Sequence, residues 1–374
     1  MNNKIAIAII GPTASGKTAL SLALSSVLPS EIISADSRQI YRYLDIGTAK
    51  PTEAERACVS HHCIDICNPD EKYSAGLFAK EAKPIVNRLF DEHKVPIIVG
   101  GSGLYVHALC EGLAESAVEI SEEIRQKAMA FYEQIGREEL FAYVKSIDPL
   151  SAEKYSDKNP HRLLRVVEYY FATGLRFSDF HAQVIDKPSF TTLYFGLDYP
   201  RAALYEIINR RCEMMWEHGI FEETESVLNM GFTPDIQSLQ TVGYKEVLKV
   251  LHGELSKTEG LEAMKQSTRR YAKRQFTWIA NQMPDWPRVA SSRLDDRIAA
   301  LLTEVAQKPA AEATPAAPDW APAGGTLSWW PGGRSVSIPA TNSQRMTCGS
   351  ALPGPRLRSG ALRPGFRAAG IGML

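Results

Sequence analysis

The sequence predicts an α/β protein in which a parallel sheet carries helices on both faces, with a helical domain inserted into it. Short β-branched runs alternate with helix-like segments over the first part of the chain, which is typical of a parallel sheet. The stretch at 113–188 is polar and poor in strand signals, and strand character then returns at Thr191. We therefore predict a core formed by 1–112 and 189–307, interrupted by a helical insertion domain at 113–188.

The predicted elements follow in order from short apolar runs and helical spacing. Ile5–Ile10 is β-branched and ends at Gly11, and the apolar spacing of Thr18–Leu28 then predicts a helix. Further strands, with helices between them, are predicted at Glu31–Ala35, His62–Ile66, Val95–Gly100 and Thr191–Asp198. Long amphipathic helical patterns lie at Ala202–Leu228 and Gly243–Trp278.

The tail after Lys308 differs in composition from the rest of the chain. It is rich in Pro, Ala and Gly, contains no further lysine and shows no periodicity. We predict that 308–374 is disordered. An altered reading frame at the C-terminus would leave the same kind of composition.

Overall composition favours a soluble globular protein. The chain has 374 residues, of which 44% are hydrophobic and 23% charged, and its net charge of -1 excludes binding of nucleic acid through overall charge. Six cysteines in this length do not form a disulfide framework. The N-terminus lacks a cleavage-site pattern, and no apolar run is long enough to span a bilayer. We expect a monomer in the reducing cytoplasm.

A phosphate-binding loop follows the first strand. The run G-x-x-x-x-G-K-T lies between a predicted strand and a predicted helix, which is the context of a P-loop, so the sheet is predicted to be P-loop NTPase-like. Loop N–H groups would surround an anion, Lys17 would pair with its oxygens and Thr18 would ligate Mg²⁺. Kinases, NTPases and diphosphate-using transferases share such loops. The predicted phosphate site is Gly11, Pro12, Thr13, Ala14, Ser15, Gly16, Lys17 and Thr18.

An acidic residue follows the second predicted strand. Asp36 would lie at the carboxyl edge of the sheet, where the active site of such a fold is expected. It could hold Mg²⁺ or an acceptor hydroxyl in a kinase, or take a proton from an attacking amine in an alkyl transferase; capping the next helix is the structural alternative. The polar neighbours Ser37, Arg38 and Gln39 favour a functional role.

Several blocks of the sequence resemble the bacterial tRNA dimethylallyltransferase family. They run in order over roughly the first 300 residues, and the tail lies outside them. The blocks are GPTASGKT at 11–18, ISADSRQIYRYLDIGTAKP at 33–51, YSAGLFAKEA at 73–82, VGGSGLYVHAL at 99–109, NPHRLLRVVEYYFATG at 159–174, LDYPRAALYEIINRRCEMM at 197–215, QTVGYKE at 240–246 and YAKRQFTW at 271–278.

The resemblance implies Mg²⁺-dependent transfer of a dimethylallyl group from dimethylallyl diphosphate to N6 of adenosine 37, in tRNAs that read codons beginning with U. It implies that the loop holds diphosphate rather than ATP, that Asp36 is the general base and that Arg211 contacts the departing diphosphate. Ser102 stands where the family usually has Thr, and we expect its hydroxyl to keep the hydrogen bond. The implied catalytic residues are Asp36, Lys17, Ser102 and Arg211.

The resemblance also implies contacts with the anticodon stem-loop of tRNA. The insertion domain would hold the stem through its phosphates, and the target base would be splayed out of the loop to be modified. The implied contact residues are Asp36, Ser37, Arg38, Gln39, Ser102, His161, Arg162, Leu163, Leu164, Arg165, Gln240, Gly243, Tyr244 and Lys245.

Three other functions are weighed against this one. A nucleotide or small-molecule kinase would share the loop and the sheet, and it predicts ATP turnover. A prenyltransferase acting on free adenine nucleotides would not need the insertion domain or the basic helices. A non-catalytic RNA-binding protein would not need a phosphate loop together with an acid.

Two further patterns have alternative interpretations. Cys58, Cys63 and Cys67 lie near two histidines, but their spacing is not a paired zinc pattern, so we favour half-buried cysteines over a metal site. The segment Arg269–Trp278 mixes bases with aromatics, which suits a nucleic-acid surface as well as a helix with one solvated and one packed side.

Overall fold

In a computed structural model of the chain, the described residues are 4–112, 120–181, 187–197 and 199–282, together with the short strands at 288–289, 326–327 and 336–337. The chain divides into two compact units, Met1–Ala317 and Pro318–Leu374.

A six-stranded parallel sheet forms the centre of the first unit. Its order is β3-β2-β4-β1-β5-β6, so β1 and β4 are neighbours. Because helices cover both faces, the central strands are apolar and almost wholly buried. The predicted P-loop-like α/β class is confirmed. The strands are Ile5–Ile10 (β1), Ser30–Ser34 (β2), His61–His62 (β3), Val95–Gly100 (β4), Thr191–Leu197 (β5) and Arg288–Val289 (β6).

The predicted bounds of β1 and β4 are those of the structure, whereas the strand predicted at His62–Ile66 is wrong beyond its first residue. Cys63 and Asp65 have φ angles of 61° and 57°, in the left-handed region that an extended ladder does not use. This segment therefore leaves the sheet after His62. The next pairing along it is an isolated bridge between Tyr41 and Cys67.

Twelve helices are described. Four belong to the first half of the sheet, four occupy the predicted insertion and four follow β5. They are Lys17–Ser25 (α1), Glu53–Cys58 (α2), Ala75–Asp91 (α3), Gly103–Cys110 (α4), Glu122–Ile147 (α5), Pro149–Lys154 (α6), Pro160–Thr173 (α7), Phe177–His181 (α8), Arg201–Glu217 (α9), Ile220–Asn229 (α10), Tyr244–Leu251 (α11) and Lys257–Gln282 (α12). No helix within the described ranges is both long enough and apolar enough to cross a membrane.

The helices α5–α8 surround an apolar cluster of their own, which includes Leu140, Leu163 and Val167. Asp148 joins them by accepting hydrogen bonds from the backbone N–H groups of Ser151 (3.1 Å) and Ser178 (2.8 Å). The segment is thus helical where it is described. Its division from the core at 113 and 188 stays a prediction, and 113–119 and 182–186 lie outside the described residues.

Each long helical segment predicted after β5 is in fact two helices. Gly219, with a φ of 110°, separates α9 from α10, and Gly253, with a φ of 75°, follows α11. Left-handed backbone at these glycines ends a right-handed helix. The resulting turns let α9–α12 enclose a second apolar cluster, at whose centre Tyr244 is fully buried.

The second unit is described only at two short strands, Thr326–Leu327 (β7) and Val336–Ser337 (β8), which pair antiparallel. The predicted disorder of 308–374 otherwise lies outside the described residues.

Candidate functional site

The loop between β1 and α1 presents the open start of a helix. Ala14 and Gly16 have left-handed φ angles of 65° and 82°, which turn the chain around a small concave space. Gly16 is the N-cap of α1, and no side chain caps this end of the helix. The first N–H groups of α1, together with the positive end of its dipole, are therefore suited to bind an anion.

Lys17 lies within this loop and is held by backbone carbonyls. Its Nζ donates hydrogen bonds to the oxygens of Gly11 (3.0 Å) and Pro12 (2.7 Å). Burial lowers its pKa to about 8; the Asp36 carboxylate opposes this shift and the Arg211 guanidinium adds to it. Burial also lowers the pKa of Arg211, again opposed by Asp36. Three residues predicted to be catalytic, from three different elements, thus lie in one electrostatic neighbourhood.

Asp36 lies in a turn rather than at the start of a helix. Its Oδ1 accepts a hydrogen bond from the backbone N–H of Arg38 at 3.0 Å, and the next described helix begins only at Glu53. The alternative that Asp36 caps a following helix is therefore wrong. The local turn fixes the direction of the carboxylate at the carboxyl end of β2.

Ser102 connects the end of β4 to the loop that carries Asp36. Its Oγ accepts from the backbone N–H of Ser37 and donates to the Ser37 hydroxyl, both at 3.0 Å. The Tyr271 hydroxyl on α12 is also hydrogen-bonded to Ser102. Ser102 therefore adjoins the loop of the predicted base, because β2 and β4 are neighbouring parallel strands whose carboxyl ends share one edge of the sheet.

A cavity of about 310 Å³ opens beside this loop. Four tyrosines, Tyr41, Tyr73, Tyr105 and Tyr271, contribute to its walls. The guanidinium of Arg38 lies 4.3 Å from the centre of the Tyr271 ring, within cation–π distance. Aromatic walls interspersed with polar and basic side chains suit a planar ring that carries polar groups.

The residues predicted around 240–245 divide into two groups. Gln240 and Lys245 line the cavity. Tyr244 is fully buried and donates its hydroxyl hydrogen bond to Glu223 at 2.6 Å, while the Gly243 N–H donates to Glu246 at 2.8 Å. Contact of Gln240 and Lys245 with RNA stays a prediction, whereas Tyr244 and the Gly243 N–H are engaged inside the protein.

Gln39 is likewise used within the protein. Its Oε1 accepts from the Ser34 hydroxyl at 2.9 Å, and its Nε2 donates to the carbonyl oxygen of Ala49 at 3.0 Å. The side chain therefore fastens β2 to the loop that precedes Lys50. Because both ends of its amide are used in this way, we assign Gln39 to support of the loop; Ser37 and Arg38 line the cavity.

The predicted contacts on α7 also divide by exposure. His161, Arg162 and Arg165 are exposed, and Arg162 lies 3.5 Å from the Asp157 carboxylate. Leu163 and Leu164 are buried in the apolar cluster of α5–α8. Their predicted contact with RNA is corrected, because their side chains face the helical core. The α7 helix packs against α5 and α8, so these residues form a surface separate from the phosphate loop.

The three cysteines do not share the half-buried surroundings that the sequence predicts, since Cys58 is exposed. Cys63 and Cys67 are buried in two different apolar clusters. Burial raises the pKa of the Cys63 thiol to about 12 and that of Cys67 to about 11, which disfavours the thiolates that bind metals. Over the described part of the chain, no group of three or more His, Cys, Asp or Glu residues is arranged to hold a metal ion.

Two residues of α12 border the site, and the sequence indicated only the basic and aromatic segment Arg269–Trp278 that contains them. Gln275 hydrogen-bonds both the phosphate loop and the turn after β4, and Tyr271 lies one helical turn earlier. Their spacing of four residues places them on one face of a helix. That spacing indicates a shared face, but it does not indicate which loops the face contacts.

Comparison with known proteins adds a family and several relatives. The sequence matches the IPP transferase family over residues 39–282. It is 41% identical over 271 residues to a tRNA dimethylallyltransferase of Alkaliphilus oremlandii, covering 72% of this chain and 87% of that protein. It is also 41% identical over 285 residues to a tRNA dimethylallyltransferase of Staphylococcus carnosus, covering 75% of this chain and 90% of that one.

Solved structures show the same likeness. A tRNA isopentenylpyrophosphate transferase from Bacillus halodurans is 35% identical, covers 82% of this chain and 96% of its own, and superposes with a TM-score of 0.60. A eukaryotic dimethylallyltransferase acting on tRNA is 28% identical, with a TM-score of 0.66, over 78% of this chain and 75% of its own.

Proposed function

This chain belongs to the IPP transferase family, and we propose that it transfers a dimethylallyl group from dimethylallyl diphosphate to N6 of adenosine 37. The acceptors are tRNAs that read codons beginning with U, and the products are N6-(dimethylallyl)adenosine and diphosphate. One observation carries the proposal: Lys17 and Arg211 lie close enough to Asp36 for its charge to affect their pKa values, and the loop of Asp36 borders a cavity large enough for a base. Ser37 and Arg38 of that loop line the cavity together with four tyrosines.

The phosphate loop supplies the leaving-group half of this reaction. An allylic diphosphate ionises when the charge that develops on its leaving group is stabilised. Lys17 and Arg211 bring two cations together, and the uncapped N-terminus of α1 adds N–H donors. Because the two cations disfavour each other's charge, a bound diphosphate is stabilised by relieving that repulsion.

The residues present also fit a magnesium ion. Mg²⁺ in phosphate sites takes few protein ligands and completes its shell with phosphate oxygens and water. The Thr18 hydroxyl is a hard oxygen donor within the first turn of α1, next to Lys17. Thr18 would hold the ion, which when bound neutralises charge on the diphosphate.

Asp36 supplies the acceptor half. The adenine N6 is a weak nucleophile, because its lone pair is delocalised into the ring. A carboxylate beside it increases its reactivity by taking its proton as the new C–N bond forms. The hydrogen bond from the Arg38 N–H orients the carboxylate, and Ser102 holds the loop that carries it. The cavity tyrosines can stack against a base that has left its own stack.

Exposed basic residues supply binding of the anticodon stem-loop. They lie on α7 of the predicted insertion and on α12, the last of the four helices that follow β5. These residues are His161, Arg162 and Arg165 on α7 and Arg270, Lys273 and Arg274 on α12. Contacts of this kind with phosphates position an RNA without reading its sequence. We further propose that the protein acts as a monomer in the cytoplasm.

The test is transfer of a labelled dimethylallyl group from its diphosphate to unmodified tRNA with Mg²⁺, beside free AMP and an ATP-hydrolysis control. Label in tRNA alone is the expected result. Label in AMP alone would replace tRNA by free nucleotides as the acceptor. ATP turnover without transfer of label would contradict the proposal and would identify the loop as a kinase site.

A further inference from the structure

Gln275 occupies an unusual position between two loops that follow adjacent strands. Its Oε1 accepts a hydrogen bond from the backbone N–H of Thr13 at 2.8 Å, and its Nε2 donates to the carbonyl oxygen of Gly101 at 2.9 Å. The residue is 6% exposed; its bond to Gly101 is buried and its bond to Thr13 is partly buried. A single amide therefore joins the phosphate loop to the turn that carries Ser102.

The strand order explains why a bridge is needed here. The parallel ladder between β1 and β4 ends at the pair Ile10 and Gly100, and beyond it the two segments of the chain no longer pair. The N–H of Thr13 and the carbonyl of Gly101 each pair with Gln275 instead of with a neighbouring strand. An unbranched amide offers an acceptor and a donor together, whereas an ionised Glu lacks the donor and Met lacks a strong partner of either kind, so neither satisfies both groups.

The fit around the amide is close. A Cβ atom at Gly101 would lie 2.3 Å from Gln275 Nε2, and one at Gly103 would lie 2.1 Å from the Trp278 ring. Because Gly101 and Gly103 have no side chains, α12 can pack closely against the turn after β4. One turn earlier on α12, Tyr271 is hydrogen-bonded to Ser102. The same helix face therefore contacts both the diphosphate half and the base half of the site.

We infer that Gln275 is a positioning residue, which holds the diphosphate loop at a fixed separation from the Ser102 turn. The inference rests on the proposed function. Gln275 touches neither reactant in this role; it acts through the backbone of Thr13 and Gly101. Since Gly101 is buried and Thr13 half-buried, loss of the amide removes the partner of a donor and of an acceptor that water reaches poorly, and it lets the two loops shift relative to each other.

The first test is Gln275→Met, which keeps the length of the side chain and removes both hydrogen bonds. We expect kcat/KM for dimethylallyl diphosphate to fall at least about tenfold, with KM for tRNA unchanged within about twofold. Ile279→Val is the matched control, because Ile279 is buried on the same helix among other residues. It should lower Tm without changing either KM.

A purely structural role predicts a different result. Gln275→Met would then behave as the Ile279 control does, with less folded enzyme and unchanged KM values, and this outcome would overturn the inference. A double-mutant cycle adds a second measurement, since Gly101→Ala should displace the amide and cost as much as Gln275→Ala. The double variant should lose little more than either single variant, whereas full additivity would count against the bridge.

Binding of inorganic diphosphate separates this inference from the proposed function. Calorimetric titration of the wild-type protein and of Gln275→Met should show weaker binding by the variant, whatever the acceptor of the reaction. If the wild type transfers no label to tRNA and the variant still binds diphosphate more weakly, the proposed function fails and the inference stands. Equal binding of diphosphate by both proteins would overturn the inference.

Discussion

Two lysines of this protein lie in opposite electrostatic surroundings. The side chain of Lys50 is 1% exposed, and its Nζ lies 2.6 Å from a carboxylate oxygen of Asp45 and 2.5 Å from one of Asp65. Lys17 is half-buried, and within the described residues no carboxylate lies at ion-pair distance from its Nζ, which donates hydrogen bonds to carbonyl oxygens. The first lysine is neutralised inside the protein, and the second is not.

This difference separates a structural charge from a functional one. Lys50 fastens the loop that precedes it to Asp65, and Arg56 contacts the same carboxylate at 2.8 Å. Lys17 instead faces Arg211, and burial depresses the pKa values of both cations. A partly buried cation without a carboxylate at ion-pair distance is suited to bind an anion.

The largest effect is expected from Asp36→Ala. Asp36 is the carboxylate that opposes the lowered pKa of both Lys17 and Arg211, and we assign it the proton of the adenine amine. Loss of a general base should reduce turnover by about 10²- to 10⁴-fold, while tRNA still binds. Transfer kinetics and filter binding of tRNA measure the two effects. Near-normal turnover would show that Asp36 is not the general base.

The second variant is Lys17→Met, which deletes the cation that has no carboxylate at ion-pair distance among the described residues. We expect a fall in kcat/KM for dimethylallyl diphosphate of about 10²- to 10³-fold, the scale of losing one strong group on a developing charge. Tm should stay constant or rise, because the variant no longer buries a charge without a carboxylate partner. A marked loss of Tm would show that Lys17 is structural after all.

The pH dependence should follow the same lysine. Binding of the diphosphate group requires protonated Lys17. The kcat/KM for dimethylallyl diphosphate should therefore decline as pH rises through the Lys17 pKa of about 8. Lys17→Arg stays protonated and should keep a flat profile over this range. In the free protein the sign for stability is opposite: between about 8 and 10.5 the unfolded chain binds more protons, so the contribution of Lys17 to stability rises with pH. Parallel pH profiles for wild type and Lys17→Arg would contradict this assignment.

Lys50→Met should have the reverse pattern. It leaves Asp45 and Asp65 without their buried partner and should lower the free energy of unfolding by about 2 kcal/mol, less than for a fully buried pair, because both carboxylates are partly exposed. Denaturant unfolding measures this loss. Transfer by the folded enzyme should change less than about threefold, a small fraction of the loss in Lys17→Met. An unchanged unfolding curve would mean that the network contributes nothing.

The smallest effect is expected from deletion of the residues after Lys308. Both lysines and every residue of the candidate site lie before this point, and the blocks of family resemblance end at Trp278. Transfer activity should therefore persist in the truncated protein. A large loss on truncation, measured with the same labelled donor, would assign the tail a role in the reaction or in folding.

Local patterns predicted much of the core and failed where the backbone turns unusually. The apolar runs of β1 and β4 have the bounds that the sequence predicts, since burial on both faces leaves a continuous hydrophobic signal. The run His62–Ile66 also contains apolar residues, but Cys63 and Asp65 adopt left-handed φ angles. Contacts with distant residues hold such conformations, and composition does not record them.

The sequence by itself determined the phosphate loop, the acid after the second strand and the sheet edge at which both lie, because these depend on short-range spacing and on the geometry of parallel strands. Only the tertiary structure decided which buried polar groups act as supports. Gln275 and Thr13 are 262 positions apart in the chain and are joined by one hydrogen bond. Helical periodicity indicates that a side chain faces inward, but its partner is decided by the packing of elements that are distant in sequence.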